Sequence, residues 1–141
     1  MPESLALSRF EQLSLGQTAQ AAKTITEADI ILYAGISTDI NPAHLDADYA
    51  TSGPFGGRVA HGMLSAGLIS AVLGNKLPGP GTIYLSQTLQ FRHPVRIGDT
   101  VTARAEVIAL DSARRRATLR TQCFVHNLLV IDGEALVLVN G

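Results

Sequence analysis

The sequence predicts an α+β fold in which an antiparallel β-sheet is wrapped around a central buried α-helix, and two observations carry that prediction. From about His61 onward, Met63, Leu64, Leu68, Ile69, Val72 and Leu73 fall on almost every side of a helix, so no face is left for water. Beyond Pro78-Gly79-Pro80-Gly81 the texture changes to strand over 83–91, 100–110, 117–126 and 129–139, runs that are rich in β-branched residues and often alternate. The turns at 94–99, 111–116 and about Asn127 are too short for a parallel crossover, which needs a dozen residues or more, so the strands are antiparallel neighbours.

The remaining elements follow in chain order. A strand over 18–25 completes the sheet. Thr26-Glu27-Ala28-Asp29 resembles a capping box, and Ile30, Ile31 and Tyr33 then give a helix of about three turns an apolar face. That helix stops near Ser37, because Pro42 has no N–H to donate and biases Asn41 toward extended backbone. The segment from Asp39 to His44 is therefore expected on a loop. Asp46 and Asp48 open a short turn carrying Tyr49. Gly53-Pro54-Phe55-Gly56-Gly57 breaks regular structure before the buried helix, which Gly74-Asn75 ends.

A chain of 141 residues fits one domain, 1–141, without repeats or a dispensable linker. Eleven basic and twelve acidic residues give a net charge of -1, which argues against a broad nucleic-acid footprint. Apolar residues make up 46% of the chain and charged ones 16%, richer than a small monomer needs, so an oligomer is expected. Cys123 is the only cysteine and sits in an apolar run, consistent with a buried, inert thiol in a reducing compartment. The start Met1-Pro2-Glu3-Ser4 lacks the basic, then apolar, texture of a signal peptide, and the longest apolar stretch, 63–74, is too short to span a bilayer. A cytoplasmic protein with no membrane segment is the expectation.

Asp39-Ile40-Asn41-Pro42-Ala43-His44 places a carboxylate, an amide and an imidazole within six residues. Taken alone, Asp39 is also compatible with an Asx-turn, Asn41-Pro42 with a turn and His44 with a satisfied polar side chain. The functional reading is proton transfer. Adding water to a double bond conjugated to a thioester needs one group to take a proton and another to give one. Asp39 and His44 are the candidates, in either order, with Asn41 orienting the water or a catalytic side chain. Negative charge then develops on the thioester oxygen, and the backbone N–H of Gly62, at the start of the buried helix, is the candidate donor. His61 is read as a structural imidazole tying the loop to the helix, and Ser65 as bonding back to a helical carbonyl. Arg58 is a candidate phosphate contact at the entrance. Arg114, Arg115, Arg116, His93 and His126 are taken as solvated surface.

Metal sites fail on pattern. A calcium loop over Asp39, Asn41, Asp46 and Asp48 would need an oxygen ligand where Ala43 stands and glycine where His44 stands, and no zinc pattern is present. The glycine-rich segments lack Gly-Lys-Ser/Thr and read as turns.

Several of these motifs, in the same order, resemble the MaoC-like, R-specific enoyl-CoA hydratases (hydratase 2), especially the short polyhydroxyalkanoate-type enzymes. The resemblance covers about 26–139: Asp39-Ile40-Asn41-Pro42-Ala43-His44-Leu45-Asp46, His61-Gly62-Met63-Leu64, Ile83-Tyr84-Leu85 through Phe91, and Pro94-Val95-Arg96-Ile97-Gly98-Asp99. It implies a hot-dog fold, a homodimer, an acyl-CoA substrate, and reversible hydration of trans-2-enoyl-CoA to (R)-3-hydroxyacyl-CoA. It also implies Asp39 and His44 as the catalytic pair, Asn41 in support, the Gly62 N–H in the oxyanion hole, and neither metal nor redox cofactor. This chain departs from the family pattern at Thr38, where glycine is frequent, at Ala43, where a larger aliphatic is frequent, and at Gly67, where short-chain hydratases carry serine. A hot-dog thioesterase and a non-catalytic acyl-CoA-binding module are the competing readings.

Overall fold

The computed structural model describes residues 9–139, so the reading of the extreme N-terminus lies outside the described residues. Six strands form one sheet: β1 (Thr18–Thr24), β2 (Thr82–Gln87), β3 (Gln90–Phe91), β4 (Thr100–Asp111), β5 (Arg116–Val125) and β6 (Leu128–Val139). The order is β1-β4-β5-β6-β2, with β3 also on β6, and every pair is antiparallel. Among the described residues, four α-helices interrupt this pattern: α1 (Glu27–Ser37), α2 (Pro42–Leu45), α3 (Ala47–Thr51) and α4 (Gly62–Asn75).

Period-two alternation sets the inner face of the sheet. Val101, Ala103, Ala105 and Val107 of β4, and Ala117, Leu119, Thr121 and Cys123 of β5, point inward and are buried. Alanine at four core positions, Ala103, Ala105, Ala117 and Ala135, leaves room for a helix to lie close. α4 fills that room against β1, β4 and β5, burying Ser65, Ala66, Ile69, Val72 and Leu73. Burying each large side chain in this row contributes about 1.5–3 kcal/mol relative to leaving it in water. Burial also pushes the Cys123 thiol up to about 12, so the sulfur is an inert core atom.

Three expectations are corrected here. The run 83–91 is two strands, because Thr88 crosses β6 at Gly133 so closely that a Cβ there would lie 1.9 Å from the Thr88 carbonyl oxygen. Helix α4 is not enclosed on all sides in the single protomer: Gly62, Met63, Gly67, Ser70 and Gly74 are exposed. Pro42 starts a short helix instead of holding the whole segment in loop, since the first helical position needs no N–H and Asn41 Oδ1 caps the Ala43 N–H at 2.9 Å. The capping box at Thr26 is present in full: Thr26 Oγ1 accepts from the Asp29 N–H, and an Asp29 carboxylate oxygen accepts from the Thr26 N–H. Hydrogen bonds from Lys23 and from the Thr26 backbone hold the Asp29 carboxyl below its usual range. Among the described residues no helix is long and apolar enough to cross a membrane.

Candidate active site

Helix α1 ends at Thr38, whose φ of 65° lies in the left-handed region. The chain thereby turns sharply and delivers Asp39 to the mouth of a cleft, but a β-branched residue is strained in that conformation. Thr38→Gly is expected to raise stability by about 0.5–1 kcal/mol, less than the full relief of strain because glycine also loosens the unfolded chain. Thermal melting of the variant checks this.

The cleft holds about 410 Å³ and is lined by Asp39, His44, His61 and Gly62 together with Tyr33, Val59, Met63, Phe91, Val95 and Ile131 among others. Its wall is mostly apolar, so the few polar atoms inside it are conspicuous. On α2, the His44 ring places Nδ1 at 2.8 Å from the Val59 carbonyl oxygen. That oxygen only accepts, so Nδ1 carries the proton and any proton exchanged with a ligand passes through Nε2. Nε2 lies 3.9 Å from Asp39 Oδ2, too far for a direct hydrogen bond. One oxygen at ~2.8 Å from both atoms closes a triangle on that base, so a single water can address the carboxylate and the imidazole together. Asp39 is half-exposed at its side chain (51%) while His44 is largely covered (14%).

The backbone around this pair is tied down from several directions. Asp39 Oδ1 accepts from the Asn41 N–H at 3.2 Å, the Asx-turn that the sequence allowed, and Oδ2 remains free to face the cleft. His61 Nε2 donates to the Asp39 carbonyl at 2.9 Å, so His61 does tie the loop to the helix. The His61 ring stacks on His44 with centroids 3.9 Å apart and meets Tyr33 on another side. Arg58 Nε donates to the His44 carbonyl at 2.7 Å while its terminal nitrogens pair with Glu27 at 2.9 and 3.0 Å. Arg58 is thus a strap between α1 and α2, its guanidinium engaged by Glu27 and by the His44 carbonyl.

Gly62 opens α4 with its N–H outside the helical bonding pattern, as the first helical residues must be. A Cβ at Gly62 would lie 2.6 Å from the Phe91 ring, so only glycine keeps ring, backbone and cleft together. Asn41 does not line the cleft, because its side-chain oxygen is used in capping α2. His93 and Arg92, the former read as surface, do line it. Ser65 is fully buried and its hydroxyl has no hydrogen-bond partner among the described residues, contrary to the expected bond to a carbonyl. Val59 and Phe91 carried no legible signal in the sequence: one acts through a backbone oxygen, the other through a contact between distant segments.

Asp39, His44 and His61 each bring a ligand-type atom within 4.8 Å of the others. Two stacked imidazoles, only 28° from parallel, hold their in-plane lone pairs in nearly parallel planes, a poor geometry for converging on one ion. His61 Nε2 and His44 Nδ1 are also already engaged with carbonyl oxygens. The arrangement suits proton exchange better than metal chelation.

Residues 11–125 match the model of the family described as MaoC like domain. The chain belongs to this MaoC-like family. It is 56% identical to an (R)-specific enoyl-CoA hydratase of Rhodospirillum rubrum, over 97% of this chain and 95% of that one. Identity to a 3-hydroxybutyryl-CoA dehydratase of Methylorubrum extorquens is 52%, over 99% and 88% of the two chains. The solved structure of the Aeromonas caviae (R)-hydratase involved in PHA biosynthesis superimposes with a TM-score of 0.89 at 43% identity, covering 92% of this chain and 99% of that one. The curled sheet around α4 is accordingly the hot-dog fold of the MaoC-like hydratases.

Proposed function

We infer that this MaoC-like protein catalyses the reversible addition of water to trans-2-enoyl-CoA, giving (R)-3-hydroxyacyl-CoA. The observation that carries the reading is the approach of Asp39 Oδ2 and His44 Nε2 to 3.9 Å at the wall of an apolar cleft. In the hydration direction the water oxygen bonds to the β-carbon and a proton is delivered to the α-carbon. Between them the carboxylate and the imidazole accept the water's proton and supply the other. Electron density displaced from the double bond collects on the thioester oxygen, where the Gly62 N–H donates from the positive end of α4. Asn41 supports the pair by capping α2, which fixes where His44 stands.

Residues 1–141 are proposed to act as one hydratase domain and to pair as a homodimer. The exposed face of α4 and the uncovered residues Ile83, Tyr84 and Leu85 of β2 are the surfaces offered to a second copy. Chain length is then read in the groove between α4 and β2, where Gly67 leaves open space. The unpaired, buried Cys123 is in keeping with a cytoplasmic enzyme linking enoyl-CoA intermediates to the use of (R)-3-hydroxyacyl-CoA.

Mixing the protein with crotonyl-CoA should remove the enoyl absorbance without releasing free thiol. Thiol appearing while the enoyl absorbance persists would instead identify a thioesterase. Binding with neither change would identify a non-catalytic module.

A further inference from the structure

Two buried polar atoms beside the cleft are without partners among the described residues: Nδ1 of His61, 2% exposed, and Oγ of Ser65, 0% exposed. Orphaned groups of this kind are rare, because an unsatisfied buried donor or acceptor forfeits its hydration without return. Their placement relates them. His61 is the N-cap residue of α4 and Ser65 lies four residues on, the spacing that brings side chains to one helical face, and both line the same cleft. Their needs are also complementary. His61 Nε2 donates to the Asp39 carbonyl, so in the neutral ring Nδ1 is a bare acceptor. A serine hydroxyl is a rotatable donor. Cys123 Sγ, the sulfur next to this part of α4, donates to the Ser65 carbonyl and is not offered to the imidazole.

We propose that one buried water carries a hydrogen bond from the Ser65 hydroxyl to His61 Nδ1 and so completes His61, which makes Ser65 a positioning residue for the Asp39 loop. The inference rests on the reading of Asp39 and His44 as the reacting pair. A hydrogen bond accepted at Nδ1 fixes the neutral ring in the tautomer that carries its proton on Nε2, and that proton holds the Asp39 carbonyl. The opposite tautomer has no N–H to offer that carbonyl. A second proton on the ring would place a cation 3.9 Å from the His44 ring, which must itself exchange a proton. Ser65 therefore acts at two removes: it sets the tautomer of His61, His61 sets the carbonyl of Asp39, and the carboxylate follows.

The test uses the full chain labelled with 15N-histidine, compared as wild type and Ser65→Ala in the absence of substrate, together with steady-state kinetics on crotonyl-CoA. Wild-type His61 is expected to show a protonated Nε2 and an unprotonated Nδ1 shifted by an accepted hydrogen bond. Ser65→Ala is expected to lose that shift or populate a second tautomer. It should lower kcat about three- to tenfold, the worth of one neutral hydrogen bond, with KM nearly unchanged. An exchange signal between Nδ1 and water marks the bridge and supports the proposal. It is overturned if wild-type His61 carries its proton on Nδ1, or if the His61 signals are the same in both proteins. A changed signal with unchanged kcat also overturns it, because the contact then positions nothing. The nitrogen spectra are read on the resting protein, so they stand or fall independently of whether the hydratase reading holds.

Discussion

His44→Gln and Asp39→Asn are each expected to lower kcat for enoyl-CoA hydration by about 10²- to 10⁴-fold, a rise of roughly 3–5.5 kcal/mol in the barrier. Both substitutions leave the fold intact on physical grounds. Glutamine at position 44 keeps a polar side chain of similar reach at a partly exposed site, and an asparagine oxygen at position 39 can still accept from the Asn41 N–H, as Asp39 Oδ1 does now. Neither amide exchanges a proton in the working range. Because the two groups address one water, the double variant should be little worse than the worse single one. Loss of enoyl absorbance with crotonyl-CoA, beside melting curves, checks both statements. Near-wild-type turnover in folded single variants would remove Asp39 and His44 from the chemistry.

Gly133→Ala is expected to be the most damaging small substitution in the sheet. The added Cβ would stand 1.9 Å from the Thr88 carbonyl oxygen and 2.8 Å from its carbon, both backbone atoms that cannot swing aside. Separating the two segments strains the bond from the Thr88 N–H to the Glu134 carbonyl at 2.9 Å and the bond from the Glu134 N–H to Thr88 Oγ1 at 3.0 Å. It also disturbs the pairing of Gln90 with Asp132 and Phe91 with Ile131. A loss of about 3 kcal/mol follows, or roughly 10 °C in melting temperature. Activity should fall as well, since Phe91 packs where a Gly62 side chain would be. Gly62→Ala meets only that ring, which is half-exposed and can turn outward, so its expected cost falls on catalysis more than on folding.

The architecture was largely legible in the sequence because it is written in periodicity. The alternation over β4, β5 and β6 survives in their burial patterns, and the capping box at Thr26 is a local device that requires nothing distant. The split at Thr88 was not legible, since it arises from a close approach to Gly133, which is remote in sequence. The apolar character of α4 correctly marked a helix at the centre of the fold. It did not reveal that one face, around Met63 and Gly67, is left uncovered in the single protomer. In the site, Asp39, His44 and Gly62 were readable as residue types suited to one reaction, and the structure brings them to one cleft. Asn41 was read as orienting the water or a catalytic side chain, and its side-chain oxygen caps α2, the helix that carries His44, a role its position before Pro42 also permits. The partners of His44 and His61 were invisible in advance, because both are backbone carbonyls and any residue carries one.

This loop and helix end are predicted to hydrate an enoyl thioester on one defined face. Chiral analysis of the 3-hydroxybutyryl-CoA formed from crotonyl-CoA tests it most directly. The predicted product is the R enantiomer, formed by the wild type and greatly diminished in His44→Gln. Formation of the S enantiomer, or release of free CoA with the double bond intact, would contradict it.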